Sequence, residues 1–191
     1  MTISLAEKPT LTGKRALLRP VGAQDVDGLA EAVNDPEVRR LTGSHASPED
    51  ADPTEQRRAL HEWYTTRHQH DDRLDLAVVD IETGQYAGEI VLNHLDAANR
   101  SCSLRIMLGP ASVNRGLGSE ALTLLLDHAF DTVGLHRVAL EVYPFNPRAR
   151  HVYEKVGFVV EGTLRDSLYW AGEWVDAITM AVLSTDPRPS R

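Results

Sequence analysis

The segment Val113–Ala121 reads Val-Asn-Arg-Gly-Leu-Gly-Ser-Glu-Ala and joins an apolar run, Ser101–Leu108, to a pattern typical of an amphipathic helix. Its two glycines, Gly116 and Gly118, let the backbone pass close to a ligand and adopt dihedral angles that other residues avoid. Backbone amides at a helix N-terminus favour an anion, because the helix dipole is positive there. The segment therefore predicts a phosphate-binding loop that needs no basic side chain.

Three interpretations fit these glycines. The simplest is a glycine turn that only begins a helix. Gly116-x-Gly118-x-x-Ala121 also matches a dinucleotide-binding fingerprint, but residues 109–115 separate the strand from the first glycine, and no acidic residue closes a second strand at the required distance. A nucleotide-hydrolase loop is excluded, because no Lys-Ser or Lys-Thr follows the glycines. The third interpretation is a loop for the diphosphate of an acyl-coenzyme A.

Length and composition limit the classes of protein. The chain has 191 residues, which suits a single domain with a sizeable core. Its net charge of −8 argues against a nucleic-acid-binding surface, and its single cysteine, Cys102, cannot form an intrachain disulfide. Residues 1–10 lack a signal-peptide pattern, and no apolar run reaches membrane-spanning length. We therefore expect a cytoplasmic protein whose partners are neither nucleic acid nor membrane.

Hydrophobic periodicity and turn residues predict the order of the secondary structure. We expect strands at Leu11–Pro20, Leu74–Asp80, Tyr86–Leu95, Ser101–Leu108 and Arg137–Tyr143, another beginning at Phe158, and a closing hairpin of Leu164–Trp170 with Trp174–Leu183. We expect helices at Gln24–Val33, from Asp52 or Thr54 to about His70, at Leu117–Val133, and between the cap Asn146 and Gly157. This order indicates one α+β domain over 1–183, a mixed sheet with helices on both faces, followed by a disordered tail at 184–191.

Two further expectations concern the first half of the chain. The polar segment Arg40–Pro53 is rich in turn residues and is expected to form a mobile loop. In the helix that follows, Leu60, Trp63 and Tyr64 are expected on the inner side.

A second motif lies downstream of the glycines. Asn146–Phe158 reads Asn-Pro-Arg-Ala-Arg-His-Val-Tyr-Glu-Lys-Val-Gly-Phe and resembles the GNAT superfamily pattern Asn-x-x-Ala-x-x-x-Tyr-x-x-x-Gly-Phe at each named position. The segment from Val113 to Gly118 fits that family's loop, Gln/Arg-x-x-Gly-x-Gly/Ala, except at Val113. Residues 134–138 and 166–176 also resemble the branch that acetylates ribosomal-protein N-termini. The resemblance covers residues 11–183 and is weakest over 40–70, where the family shapes its acceptor pocket.

The resemblance implies a sheet that is splayed in the middle, between Ser101–Leu108 and Arg137–Tyr143, with coenzyme A in the cleft. It implies an N-acetyltransferase that uses acetyl-CoA as cosubstrate, with direct attack by a primary amine in a ternary complex and no metal. A backbone amide near Ile106 to Leu108 would hold the thioester carbonyl. The residues implied at the cofactor are Ile106, Met107, Leu108, Asn114, Arg115, Gly116, Leu117, Gly118, Ser119, Asn146 and Arg148.

Two of these residues have simpler interpretations. Asn146 could contact the cofactor through a water molecule, but its role as a helix cap explains the residue equally well. Arg148 could meet cofactor phosphates, and a solvated helix face is the alternative.

Tyr153 and Glu89 are the candidate catalytic residues. A phenol at Tyr153 can serve as the acid for the leaving thiolate, and the alternative is an ordinary aromatic on the inner face of its helix. Many relatives carry a glutamate on the strand before the loop, where this chain has Ser-Leu-Arg at 103–105. Glu89 is the replacement base, directly or through water, and the alternative is a strand carboxylate paired with an arginine. Glu141 is a weaker candidate, and deprotonation by solvent stays open.

The acceptor follows less directly from the sequence. A protein N-terminus and a small-molecule amine both fit, and so does a longer acyl donor such as succinyl-CoA. The missing strand glutamate and Val113 also allow a non-catalytic acyl-CoA-binding regulatory module on the same fold. His68 and His70 lack the spacing of metal ligands on a helix, so no metal site is expected. A homodimer is possible.

Overall fold

The structure is a computed structural model that describes residues 3–44 and 53–188. Its strands are β1 (Leu11–Thr12), β2 (Ala16–Pro20), β3 (Leu74–Asp80), β4 (Tyr86–Asp96), β5 (Ser101–Leu108), β6 (Arg137–Val142), β7 (Val159–Trp170) and β8 (Glu173–Leu183). Its helices are α1 (Val26–Asn34), α2 (Pro36–Thr42), α3 (Pro53–Thr66), α4 (Leu117–Asp127) and α5 (Pro147–Lys155). A π-helical turn, His128–Val133, continues α4 to Gly134, whose left-handed conformation ends it as expected.

The strands form one eight-stranded sheet in the order β1-β2-β3-β4-β5-β6-β8-β7. Within the described sheet, β5 and β6 are parallel and every other neighbouring pair is antiparallel. Pairing between β5 and β6 is limited to Ser101–Ser103 with Arg137–Ala139, and the two strands then separate. The predicted α+β fold, with a mainly antiparallel sheet splayed in the middle, is confirmed.

Two hydrophobic clusters cover the two faces of the sheet. On one face α4 and α5 pack against the strands through residues such as Leu125 and Tyr153. On the other face α1, α2 and α3 pack around the fully buried Tyr64. Because side chains alternate along a strand, Leu104 of β5 belongs to the first cluster and Met107 to the second. The cleft that opens beside β5 is therefore bordered by helices from both faces.

Several element boundaries differ from those expected. The single strand expected over residues 11–20 is a hairpin of β1 and β2, with a turn at Gly13. The start of the expected mobile loop belongs to α2, because Asp35 accepts a 2.8 Å hydrogen bond from the amide of Val38 and so begins a new helix. The rest of that loop, residues 45–52, lies outside the described residues.

The prediction for the Trp63 side chain is wrong. Trp63 is 49% exposed instead of lying on the inner side of α3, and the guanidinium of Arg67 stacks 3.2 Å from the centre of its ring. In the tail, Arg188 binds the carboxylates of Asp127 and Asp131 at 2.9 and 2.8 Å, and the disorder expected of residues 184–191 stays a prediction. Residues 189–191 of the expected disordered tail lie outside the described residues.

Candidate active site

A cavity of about 460 Å³ occupies the cleft between β5 and β6, which is a size typical of small-molecule sites. It is bordered by β5, the glycine loop, the first turns of α4 and α5, and the end of α2. Predicted site residues on its wall are Ile106, Met107, Leu108, Asn114, Gly116, Gly118, Ser119, Asn146, Arg148 and Tyr153. Glu89, Arg115 and Leu117 do not line it.

The glycine loop turns sharply into α4. Asn114 and Gly116 have φ angles of 61° and 79°, in the left-handed region, and α4 begins at the next residue, Leu117. The Leu117 side chain is buried in the core, so this residue can offer a ligand its backbone amide only. A Cβ atom at Gly118 would lie 3.2 Å from Cδ1 of Leu108, which shows how closely the helix packs on β5. The free amides at the start of α4 therefore form an anion site at one end of the cavity.

Arg115 does not offer its side chain to the cavity. Its Nη1 lies 2.5 Å from Oδ2 of Asp80, and its Nη2 lies 3.0 Å from Oε2 of Glu82. Asp80 is buried at the end of β3. The Arg115 side chain is therefore an anchor that joins the glycine loop to the β3–β4 turn, and a contact of this residue with the cofactor stays a prediction.

Glu120, in the first turn of α4, is a second anchor. Its carboxylate accepts hydrogen bonds from the backbone amides of Lys14, Arg15 and Ala16, at 2.9, 2.7 and 2.7 Å. Burial alone would raise the pKa of Glu120, but these three amides outweigh it and lower the pKa. These contacts link the β1–β2 hairpin to the glycine loop, and no local sequence pattern predicts them.

Tyr153 lies on α5 with its side chain against the cavity and is 8% exposed. Its ring is 5.8 Å from that of Phe158, and burial raises the pKa of its hydroxyl to about 12. The phenol is therefore protonated at neutral pH. Such a group can donate a hydrogen bond to an atom in the cavity that gains negative charge.

Asn146 caps α5, as the simpler interpretation of this residue held. Its Oδ1 accepts a hydrogen bond from the amide of Ala149 at 3.1 Å. Its Nδ2 donates to the carbonyl of Leu41 at 3.3 Å, and a Cβ at Gly43 would overlap the ring of Tyr143. These contacts fasten the end of α2 to the corner between β6 and α5, across the mouth of the cleft.

Glu89 lies on β4 in the face covered by α1 to α3. It is 8% exposed, and its Oε2 accepts a 2.6 Å hydrogen bond from the hydroxyl of Tyr64. Burial raises the pKa of Glu89, and the hydrogen bond from Tyr64 and the charge of Arg105 oppose that rise. Arg105 Nη2 lies 3.6 Å from Oε1, so the arginine pairing foreseen as the alternative is present. Arg105 and Met107, its neighbours on β5, do line the cavity.

Among residues 3–44 and 53–188, no group of three or more His, Cys, Asp or Glu side chains could hold a metal ion. Within the same residues, no helix is both long and apolar enough to cross a membrane.

The splayed sheet, with a helix N-terminus at one end of its cleft, is the arrangement that the resemblance to acyl-CoA-dependent transferases implied. The family model of the acetyltransferase (GNAT) domain matches residues 15–159. The chain therefore belongs to the GNAT family, and it is an N-acyltransferase, as the two sequence motifs indicated.

Named relatives agree with this assignment. Spermidine N(1)-acetyltransferase of Escherichia coli K12 is 28% identical over 165 residues, which cover 86% of this chain and 84% of the relative. The [ribosomal protein uS5]-alanine N-acetyltransferase of Escherichia coli K12 is 31% identical over 91 residues, 48% of this chain and 47% of the relative. The crystal structure of spermidine N-acetyltransferase from Vibrio cholerae in complex with CoA and spermine has a TM-score of 0.77 at 22% identity, over 91% of this chain and 98% of that one. The expected resemblance to ribosomal-protein acetyltransferases is confirmed, and the chain also resembles spermidine acetyltransferases.

Proposed function

We propose that this protein transfers the acetyl group of acetyl-CoA to a primary amine, which attacks directly in a ternary complex. One observation carries the proposal: a single cavity joins the free amides at the start of α4 to the stretches of β5 and β6 that no longer pair. The coenzyme A in the Vibrio cholerae relative supports the choice of donor.

The shape of the cavity suits the parts of acetyl-CoA in order. Its diphosphate would lie at Gly116, Gly118 and Ser119, where helix amides and the helix dipole favour an anion. The pantetheine arm would follow β5 from Leu108, since this strand lacks a β6 partner beyond Ser103. A backbone amide of residues 106–108 would then hold the thioester oxygen as it gains charge.

Tyr153 would assist the departure of the thiol. The amine nitrogen bonds to the thioester carbon, the carbon–sulfur bond breaks, and coenzyme A leaves as a thiolate. A thiol has an ordinary pKa of about 8.5, so complete transfer of the Tyr153 proton would be uphill by roughly 5 kcal/mol. We therefore assign Tyr153 as a hydrogen-bond donor to the thiolate, which takes its proton from solvent.

Glu89 would accept the proton of the amine through water. Its raised pKa brings it closer to neutrality, which suits a base better than an ordinary carboxylate. Since Glu89 lies behind Arg105 and Met107 and does not line the cavity, a direct contact with the amine is disfavoured. The buried position of Glu89 also favours the second candidate function, a module that binds acyl-CoA without turnover.

The names of the relatives suggest two classes of amine acceptor. Their names include a spermidine acetyltransferase and a ribosomal-protein alanine acetyltransferase, so a small amine and a protein N-terminus are both candidates. We propose that the reaction takes place in the cytoplasm. A homodimer stays a prediction, which light scattering would measure.

The proposal is tested by measuring thiol release from acetyl-CoA in the presence of peptides, polyamines, amino acids and aminoglycosides. Calorimetry measures the binding of acetyl-CoA in parallel. We expect binding together with acceptor-dependent release, and a weaker rate with succinyl-CoA. Binding without release for every acceptor would favour the regulatory module. The absence of both binding and release would reject both functions.

A further inference from the structure

Among residues 3–44 and 53–188, four charged side chains line the cavity: Glu37, Glu141, Arg105 and Arg148. Glu37 is already neutralised, because both of its oxygens accept hydrogen bonds from Arg40, each at 2.8 Å. The part of the wall that these described residues form is therefore not an acidic lining of the kind that a polycation would require. Its two arginines carry at least as much uncompensated charge as its carboxylates.

Arg105 is the arginine placed beside the reaction centre. It lies on β5 two residues from Met107, so the two side chains share the face covered by α1 to α3, opposite the face of α4. Its side chain is 66% exposed, and the carboxylate nearest to it is that of Glu89, at 3.6 Å. That distance allows an ion pair but exceeds a hydrogen bond, so, as far as the described residues show, the guanidinium donors can still engage a ligand in the cavity.

Two more arginines raise the positive charge behind Arg105. Arg67 is 8% exposed, and among the described residues no carboxylate lies within 4.0 Å of its guanidinium, which stacks 3.2 Å from the centre of the Trp63 ring. Arg73 is paired with Asp75 at 2.6 Å. Three guanidinium groups, those of residues 67, 73 and 105, interact with three carboxylates, those of residues 72, 75 and 89, of which Asp72 is exposed. A buried arginine without a counter-ion is unfavourable unless an anion approaches it.

We propose that the amine acceptor carries a carboxylate close to its reactive nitrogen, and that Arg105 binds this carboxylate. The inference rests on the proposed acetyl transfer. Met107 belongs to the stretch, residues 106–108, that is proposed to hold the thioester. A strand rises about 3.3 Å per residue, so Arg105 lies about 7 Å along β5 from Met107. The fork of a guanidinium matches a carboxylate with two parallel hydrogen bonds. A free amino acid and the N-terminal acidic residue of a peptide both offer this chemistry.

Matched pairs of acceptors test the carboxylate and separate its two sources. A panel of amino acids is compared with the corresponding amino-acid amides, and peptides that begin with aspartate are compared with those that begin with asparagine. We expect kcat/KM to be at least tenfold higher for the carboxylate member of one kind of pair, about 1.4 kcal/mol of transition-state binding. A preference within the first pairs identifies free amino acids, and a preference within the second identifies peptides. Equal rates within both, or spermidine preferred to every carboxylate acceptor, would overturn the inference.

Variants of Arg105 show whether this residue makes the distinction. In Arg105→Gln we expect the ratio of kcat/KM within the pair to fall to about one, while KM for acetyl-CoA changes less than threefold. Arg105→Lys should keep part of the preference, since it retains the charge and loses the fork. Arg165→Gln, at an exposed position on β7, is the matched control and should behave as the parent.

The outcomes separate this inference from the proposed function. Thiol release that is equal within both kinds of pair contradicts the carboxylate site and leaves acetyl transfer intact. An equal loss with both members in Arg105→Gln, at an unchanged unfolding temperature, would assign the residue a general structural role and contradict the inference. No release with any acceptor rejects acetyl transfer itself.

Discussion

The hydroxyl of Tyr64 donates a 2.6 Å hydrogen bond to the carboxylate of Glu89, within the face of the sheet that α1 to α3 cover. Burial and the neighbouring carboxylate raise the pKa of Tyr64, so its hydroxyl stays a donor at every pH of interest. This contact joins the acceptor-side helices to the strand beside β5. It holds the Glu89 carboxylate in one orientation. We expect the ionisation of Glu89 to affect both the rate of acetyl transfer and the free energy of unfolding.

The first prediction concerns the rate. In Glu89→Gln we expect kcat/KM to fall at least tenfold, because glutamine cannot accept the proton. The acidic limb of the pH profile of kcat/KM should also lose one ionisation, which in the parent lies above the ordinary glutamate pKa of about 4.3. The measurement is the pH dependence of thiol release from pH 5 to 9. A profile identical to that of the parent would show that solvent removes the proton.

The second prediction concerns stability. The pKa of Glu89 is raised in the folded protein, so its contribution to folding is fully present below the unfolded pKa and is lost as pH rises through the folded value. We therefore expect Glu89→Gln to gain stability relative to the parent as pH rises from 4 to 8. Urea unfolding at a series of pH values measures this difference, and a difference that does not vary with pH contradicts it.

The third prediction concerns Tyr153→Phe. We expect kcat to fall at least tenfold, about 1.4 kcal/mol, with KM for acetyl-CoA unchanged, because the hydroxyl acts on charge that forms only in the transition state. The phenylalanine ring fills the same space beside Phe158, so the unfolding temperature should hold. Unchanged turnover would remove Tyr153 from the mechanism.

The fourth prediction separates an anchoring role of Arg115 from a direct phosphate contact. If Arg115 holds the glycine loop through Asp80, then Arg115→Ala and Asp80→Asn should each raise KM for acetyl-CoA several-fold, with a double variant no worse than the poorer single one. The measurement is a double-mutant cycle in KM, with Arg165→Ala as control. Additive effects would indicate that Arg115 also contacts the cofactor.

The fifth prediction concerns Glu120→Gln. The charge-assisted bonds to three backbone amides are expected to contribute about 2 kcal/mol at neutral pH. Since the pKa of Glu120 is lowered by folding, its stabilisation is present above the unfolded pKa and is lost as pH falls through the folded value. Urea unfolding should therefore show the variant converging on the parent below pH 4, and a gap that persists there would contradict the account.

The sequence predicted the parts of this site that depend on local backbone chemistry. Gly116 and Gly118 indicated a helix start that approaches a ligand, and Asn146 indicated the cap of α5. These features need a particular residue at one position, so a single sequence displays them. The splay between β5 and β6 came from the family resemblance and is confirmed by the short register of these strands.

Contacts between distant segments could not be predicted. Glu120 binds residues more than 100 positions earlier, and no local pattern distinguishes it from a solvated helix residue. Trp63 fitted the inner stripe of α3 by its spacing, but it is 49% exposed, and Arg67, one turn later, is buried with its guanidinium against the Trp63 ring. The grouping of Arg67, Arg73 and Arg105 around Glu89 likewise arises only when the segments around α3, β3 and β5 come together.

Hydrogen–deuterium exchange with saturating acetyl-CoA tests the central claim most directly, because it locates the bound cofactor along the backbone. We predict that amides 114–119 and 104–108 exchange more slowly when acetyl-CoA is bound, while β7 and β8 remain unchanged. Unaltered exchange at both segments, with acetyl-CoA demonstrably bound, would contradict a site in the cleft between β5 and β6.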